Sequence, residues 1–194
     1  PHFLYNTLES IRYAIRLGDR DVDGIILRLT SILRYSIHGS DHTVSLQEDL
    51  QHLRDYLEII RYRFGERFRF QIDIPDACLG HACPKLCLQP IVENSIKYGL
   101  QNRKVLTVTV RAWQDEDFLY LEVRDDGLGM SPALLAEMRA LVAARSEQNS
   151  THYGLRNIAR RLSLQFRRGS GMELDSVQGQ GTVVLLRISH QEVL

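Results

Sequence analysis

Four short stretches carry residue types that could do chemistry. Asp125-Asp126-Gly127-Leu128-Gly129 follows directly on an alternating apolar segment. A carboxylate at a strand end can accept a hydrogen bond from an exocyclic amine such as that of adenine, and glycines let backbone approach a ligand or turn sharply. Glu93-Asn94-Ser95-Ile96-Lys97-Tyr98 lies in a helical stretch, where Asn94, Lys97 and Tyr98 stand three and four residues apart and project from one face. An Asn oxygen suits Mg²⁺, which takes oxygen ligands while sharing phosphates, and Lys97 offers a point charge to those phosphates. Gly154-Leu155-Arg156-Asn157-Ile158-Ala159-Arg160-Arg161-Leu162 opens a helix on glycine, leaving backbone N–H groups to receive phosphate oxygens. Gly179-Gln180-Gly181-Thr182 opens the last strand and by itself is a β-turn with two glycines. Taken singly, each stretch also fits a plain turn or the polar face of a helix.

The elements that must position these residues follow from periodicity. Leu4, Leu8, Ile11 and Ile15 form one helical stripe, which Gly18 and Asp19 interrupt. Ile26, Leu29, Leu33 and Ile37 form a second stripe, ending near Gly39, and Leu46, Leu50, Leu53, Leu57, Ile60 and Phe64 a third. Ser45 followed by Glu48 is a capping-box signature for that third helix. Narrow apolar stripes on short helices bury little alone, so pairing with a second copy into a four-helix bundle is expected. From Phe68 the period becomes two: Phe68, Phe70, Ile72 and Ile74 alternate with polar residues up to Pro75. Beyond that the pattern predicts helices over 86–100, 131–144 and 155–166, and strands over 106–112, 119–123, 172–177 and 182–188. The chain is therefore α+β, with a boundary near residue 65 where the periodicity changes.

Composition narrows the partners. Lys plus Arg equals Asp plus Glu at 24 each, so no global field recruits nucleic acid or anionic lipid. The local cluster of Arg156, Arg160, Arg161, Arg167 and Arg168 fits a small phosphate ligand equally well. No apolar run approaches the roughly 18 residues of a membrane span, and the start at Pro1 without Met reads as a fragment whose upstream part is unseen. Cys78, Cys83 and Cys87 are odd in number, with His81 among them. A Cys/His metal site is conceivable there, but the spacing lacks the tight repeated pairs of such sites. Small buried thiols in a reducing compartment are the expectation.

The order of the four stretches is more specific than any one of them. Asn-bearing helix, strand, strand-Asp-x-Gly-x-Gly, polar segment, Gly-opened helix and Gly-x-Gly-Thr strand resembles the GHKL ATP-binding family of gyrase, MutL, the ninety-kilodalton heat-shock chaperones and the histidine kinases. The resemblance implies a GHKL (Bergerat) α/β sandwich over residues 66–194, with ATP between a helical layer and a lid at 130–153. It implies that Asp125 binds adenine, Asn94 holds Mg²⁺ and Lys97 approaches phosphate. Gly127, Gly129 and Gly154 then flank the lid and Thr182 sits near adenine. Tyr98, Leu155, Asn157, Arg161, Gly179 and Gly181 complete the nucleotide-binding set.

Hydrolases of that family carry a glutamate four residues before the Asn, where it activates water. Pro90 stands there and cannot act as a base, so the chain looks built to deliver phosphate elsewhere. Pro1-His2-Phe3-Leu4-Tyr5-Asn6-Thr7-Leu8 closely resembles the phosphoacceptor motif of sensor kinases of the LytS and YesM type. Leu88-Gln89-Pro90-Ile91-Val92-Glu93-Asn94, Leu33-Arg34-Tyr35 and Tyr56-Leu57-Glu58-Ile59 match the same branch. That resemblance implies a dimerisation and phosphoacceptor region over residues 1–65, with His2 as acceptor. It also implies a homodimer through the N-terminal helices, a response-regulator receiver domain as partner, and a cytoplasmic position below a membrane segment upstream. Asn6, one turn from His2, is placed to orient the ring. Asp126 and Tyr98 depart from the Asn and His common in that branch. Phe3 stands where other histidine kinases place an acid, which leaves the general base unassigned.

Overall fold

The computed structural model describes residues 7–9, 11–12, 15–16, 22–37, 42–101, 104–143, 153–167 and 169–191. Helix α1, Val22–Ile37, packs against α2, Leu46–Phe64. It buries Val22, Ile25, Leu29 and Ile32, while Ile26 and Leu27 remain 42% and 71% exposed. The buried stripe is thus turned by one position from the sequence expectation, with Leu29 shared and Leu33 half-buried. The run Ile25-Ile26-Leu27 gives the helix apolar residues in several directions, so packing on α2, and not periodicity, selects the face. Arg28 reinforces that packing with a 3.1 Å ion pair to Asp55.

Helix α2 starts where the capping box predicts. The Ser45 hydroxyl accepts from the Glu48 amide at 3.3 Å, and the Glu48 carboxylate accepts from the Ser45 amide at 2.9 Å. The helix ends at Gly65, whose amide donates to the Arg61 carbonyl. A 3₁₀ turn over Gly65–Arg67 then leads into strand β2, Phe68–Asp73. Two three-residue strands that periodicity does not reveal, β1 (Thr43–Ser45) and β3 (Ala82–Pro84), pair antiparallel, with the short helix α3, Asp76–Leu79, just ahead of β3.

The main sheet has five strands: β4 is Leu106–Gln114, β5 Phe118–Asp125, β6 Gly171–Val177 and β7 Gly181–Ser189. Their order is β2-β4-β5-β7-β6, with β2 parallel to β4 and the other pairs antiparallel. Alternation puts Val108, Val110, Leu119, Leu121, Val123, Leu186 and Ile188 on one buried face. Three helices complete that side: α4 (Gln89–Gly99), α5 (Pro132–Ala143) and α6 (Tyr153–Gln165). Asp125 continues the series 119, 121, 123, so strand parity alone turns its carboxylate inward, under the helices.

Helix α4 begins three residues later than expected. Asp49 on α2 captures the amides of Leu86 and Leu88 at 2.6 and 3.2 Å. Leu86 takes a positive φ of 58°, which breaks helical geometry before Gln89. Helix α6 begins at Tyr153, so Gly154 lies in its first turn and not ahead of it. No described helix is long and apolar enough to cross a membrane.

Candidate functional site

A cleft of about 220 Å³ opens between α4, the inner ends of β5 and β7, and the segment leading into α5. Its floor is Asp125. From α4 come Ile91, Asn94, Ser95, Tyr98 and Gly99, spaced at the three- and four-residue steps that make one helical stripe. Leu128, Gly129, Met130, Leu134 and Met138 form the opposite wall, and Leu155, Leu174, Thr182 and Val184 close the back. The lining is mostly apolar with a few convergent polar groups, the usual make-up of a small-molecule site.

Asp125 is held rather than merely buried. Its Oδ1 accepts from the Gly127 amide at 2.9 Å and the Thr182 amide at 3.2 Å, and its Oδ2 accepts from the Ser95 hydroxyl at 2.8 Å. Burial pushes its carboxyl above the usual carboxylate range; the three donors pull the other way, and Asp126 adds to the upward push. A carboxylate offers about four acceptor positions, so one remains for a donor in the cleft. An amine on a flat apolar ring meets both requirements, a hydrogen-bond acceptor and greasy walls.

The turns around Asp125 explain two glycines. Gly181 has φ 111°, and a Cβ there would stand 1.9 Å from the Asp125 carbonyl oxygen. Gly129 has φ 62°, and its Cβ would stand 2.1 Å from the Val177 carbonyl oxygen. Only glycine allows these loops to stack this closely. The stack is stitched by the Gly179 amide to the Leu128 carbonyl at 2.7 Å and by the Met130 amide to Ser176 Oγ at 2.9 Å. Thr182 Oγ1 lies 3.1 Å from the same Ser176 hydroxyl.

Of the residues singled out by sequence, Asn94, Tyr98, Asp125, Gly129, Leu155 and Thr182 line the cleft together, with Gly127 donating to Asp125 and Gly181 packed beneath it. Others stand apart. Lys97 is exposed, with Nζ 4.9 Å from the centre of the Tyr98 ring. Asn157 is exposed, and Gly154 packs on Pro90. Gly179 sits in the exposed β6–β7 turn. Arg161 points to the other side of α6, donating to the carbonyls of His42 and Lys85. Asp126 faces away from the cleft and accepts from the Thr107 amide at 2.8 Å, so its charge braces β4. His2 and Asn6 lie outside the described residues.

Sequence reasoning missed Ser95 and Gly99. Both were legible from α4 itself, because they fall one and five residues after Asn94, on the stripe that Ile91 and Tyr98 share. Among the described cleft residues Asp125 is the one carboxylate. Glu93 does not line the cleft; its Oε1 accepts from Gln89 Nε2 at 2.7 Å, and burial raises its carboxyl.

With this geometry in place, comparison with known proteins is informative. Residues 1–68 match a family model for histidine kinases, and residues 84–192 match the model for histidine kinase-, DNA gyrase B- and HSP90-like ATPases. The chain is 33% identical over 188 residues to an uncharacterized sensor-like histidine kinase of Staphylococcus epidermidis, and 30% identical over 188 residues to the sensor protein kinase HptS of Staphylococcus aureus. Each alignment covers 97% of this chain but 36% of the relative, so the chain spans about a third of their length. The fold resembles the histidine kinase domain of the Erythrobacter litoralis EL346 blue-light activated kinase, with TM-score 0.54 and 16% identity over 93% of this chain and 84% of that one. It also resembles the catalytic domain of the histidine kinase ThkA, with TM-score 0.58 and 13% identity over 78% and 97%.

Proposed function

We propose, from the premise that this chain belongs to the histidine kinase-, DNA gyrase B- and HSP90-like ATPase family and within it to the sensor histidine kinases, that it is the catalytic core of a two-component sensor kinase. The observation that carries this reading is the held Asp125 carboxylate with one acceptor position left in a mostly apolar cleft. The adenine amine donates to that position, and Ile91, Met130 and Leu155 flank the base. Thr182 Oγ1 serves the same end of the nucleotide. Asn94 stands at the cleft rim where its side-chain oxygen would hold Mg²⁺, an ion that neutralises phosphate charge when bound. The amides of the first turn of α6, opened by Tyr153 and Gly154, suit phosphate oxygens, and Lys97 reaches them only by swinging off the Tyr98 ring. Residues 130–153 act as the lid.

Phosphate passes to His2. A neutral imidazole nitrogen attacks the γ-phosphorus as the bond to ADP breaks, a step governed by alignment and charge more than by activation. Asn6 orients the ring. Hydrolysis to water is disfavoured, because Pro90 occupies the position of the hydrolases' base. Residues 1–65 dimerise and present His2, residues 66–194 bind nucleotide, and Gly65 at the end of α2 marks the junction. The phosphoryl group then moves to an aspartate on a response-regulator receiver domain. The whole protein is anchored in a membrane by a segment upstream of this core, with the core on the cytoplasmic side.

An N-terminally extended chain incubated with Mg-ATP labelled on the γ-phosphate tests this, beside its His2→Gln variant. Acid-labile, alkali-stable label on the parent alone is the expected result. Released phosphate without protein label would favour an ATPase instead.

A further inference from the structure

Away from the cleft, the described residues hold a second cluster of ligating atoms: a carboxylate oxygen of Asp49 and the sulfurs of Cys83 and Cys87 all lie within 4.8 Å of one another. Asp49 comes from α2, Cys83 from β3, and Cys87 from the loop that starts α4. All three are buried and both thiols are free. We propose that Asp49, Cys83 and Cys87 form a binding site for one zinc-class ion, which clamps α2 to the loop ahead of α4.

The donors suit such an ion. Two sulfurs and one carboxylate make a soft, mixed set that excludes Mg²⁺ and Ca²⁺ and selects zinc or its chemical neighbours. Ligands at roughly 2.0–2.3 Å from a tetrahedral centre stand about 3.3–3.8 Å from each other. Asp49 Oδ2 and Cys87 Sγ are already 3.4 Å apart. Small side-chain rotations therefore complete the set, with a water-sized ligand in the fourth position.

The surroundings orient the carboxylate as a metal's outer shell does. Asp49 Oδ1 accepts from the Leu86 amide at 2.6 Å and from Tyr35 at 3.3 Å, and Oδ2 accepts from the Leu88 amide at 3.2 Å. The remaining partner of Oδ2 is the Cys87 thiol proton. Binding replaces that proton: two S–H bonds break, two sulfur–metal bonds and one oxygen–metal bond form, and two protons leave to the buffer. Nothing is oxidised or reduced. The excess negative charge meets Arg161, which donates to the carbonyls of Lys85 and His42, and the Lys85 ammonium, 4.7 Å from the centre of the Tyr35 ring. Leu86, between the two cysteines, holds φ 58°, a conformation disfavoured for any residue with a side chain. That conformation turns its amide onto Asp49 and folds the two sulfurs toward one another. Sequence spacing hides the site because its third ligand lies on a different element far upstream. The inference is independent of what occupies the nucleotide cleft.

The test uses the purified chain, reduced and stripped with chelator, titrated with Co²⁺ and then Zn²⁺. Thiolate-to-cobalt absorption that saturates at one equivalent and is erased by zinc is expected. Cys83→Ser and Cys87→Ser should each reduce the band and weaken zinc binding on the order of 100-fold, whereas Cys78→Ser should retain both. All three thiols are buried, so on the parent alone zinc should slow the reaction of two of them with a thiol reagent relative to the metal-free chain and leave the third unchanged, a readout that needs no variant to fold. No thiolate band on the folded parent, thiol reaction rates that zinc leaves unchanged, or an undiminished band in the Cys83→Ser/Cys87→Ser double variant would overturn the proposal.

Discussion

Asp49 and Asp125 are both buried, at 1% and 6% exposure, and both take hydrogen bonds from backbone amides. Burial raises both carboxyls. They differ in what is left over. Asp49 has four donors, two amides, a tyrosine hydroxyl and a thiol, which fill its acceptor positions. Asp125 has three donors and faces an apolar cleft with one acceptor position in hand. A buried carboxylate is tolerated when its acceptors are filled; leaving one unfilled beside a cavity is how the same residue type becomes a recognition group. One aspartate organises the entry to α4, and the other reads what binds against that helix.

The contrast can be broken in order of expected effect. Asp49→Ala strands the Leu86 and Leu88 amides in the interior, and an unpaired buried donor costs about 1–3 kcal/mol. Urea unfolding should therefore show a loss of about 3–5 kcal/mol; a loss below about 1 kcal/mol would show that Asp49 organises nothing. Gly181→Ala should cost about 2–3 kcal/mol and abolish nucleotide binding, since its methyl would stand 1.9 Å from the Asp125 carbonyl. Asp125→Asn should lower nucleotide affinity by about 10- to 100-fold, the worth of a hydrogen bond to a charged group. Its unfolding free energy should change by less than about 1 kcal/mol, because the amide keeps the shape and removes a buried charge. Comparable losses of stability in Asp49→Ala and Asp125→Asn would erase the distinction.

The smallest effect is in pH. The ionised Asp125 accepts from the nucleotide more strongly than the protonated one, so affinity should hold at neutral pH and fall as acid protonates a carboxyl raised above the ordinary range. Ser95 donates to that carboxylate and pulls its pKa down. Ser95→Ala should therefore move the midpoint of affinity loss to higher pH. Stability runs the other way: a raised native pKa contributes stability below the unfolded value, and that contribution is lost as pH rises through the native one. Acid thus favours the fold at this residue while it weakens the ligand. Nucleotide titrations across pH on the parent and Ser95→Ala would show the shift, and an unchanged midpoint would detach Ser95 from the site.

Much of this is legible in the sequence. The Ser45–Glu48 box fixes the start of α2, and alternation through Leu119, Leu121 and Val123 turns Asp125 inward. Features that depend on distant partners were not legible. The inward face of α1 is chosen by α2, because Ile25, Ile26 and Leu27 look alike in one dimension. Strands β1 and β3 are three residues each and have no period to detect. The late start of α4 comes from Asp49, and the Asp49–Cys83–Cys87 cluster joins three elements that no local pattern connects. Lys97 shows the reverse case: three-residue spacing from Asn94 placed it on the same face in outline, but the cleft follows the Ile91–Asn94–Ser95–Tyr98 stripe and leaves Lys97 outside.

The most direct measurement is a calorimetric comparison of Mg-ATP with Mg-inosine triphosphate, which carries a carbonyl where adenine carries its amine, on the parent and on Asp125→Asn. Tight binding of ATP, at least about 10-fold weaker binding of inosine triphosphate, and loss of that preference in Asp125→Asn are predicted. Equal binding of the two nucleotides by the parent, or a preference that survives in Asp125→Asn, would contradict the assignment of Asp125 as the residue that reads the base.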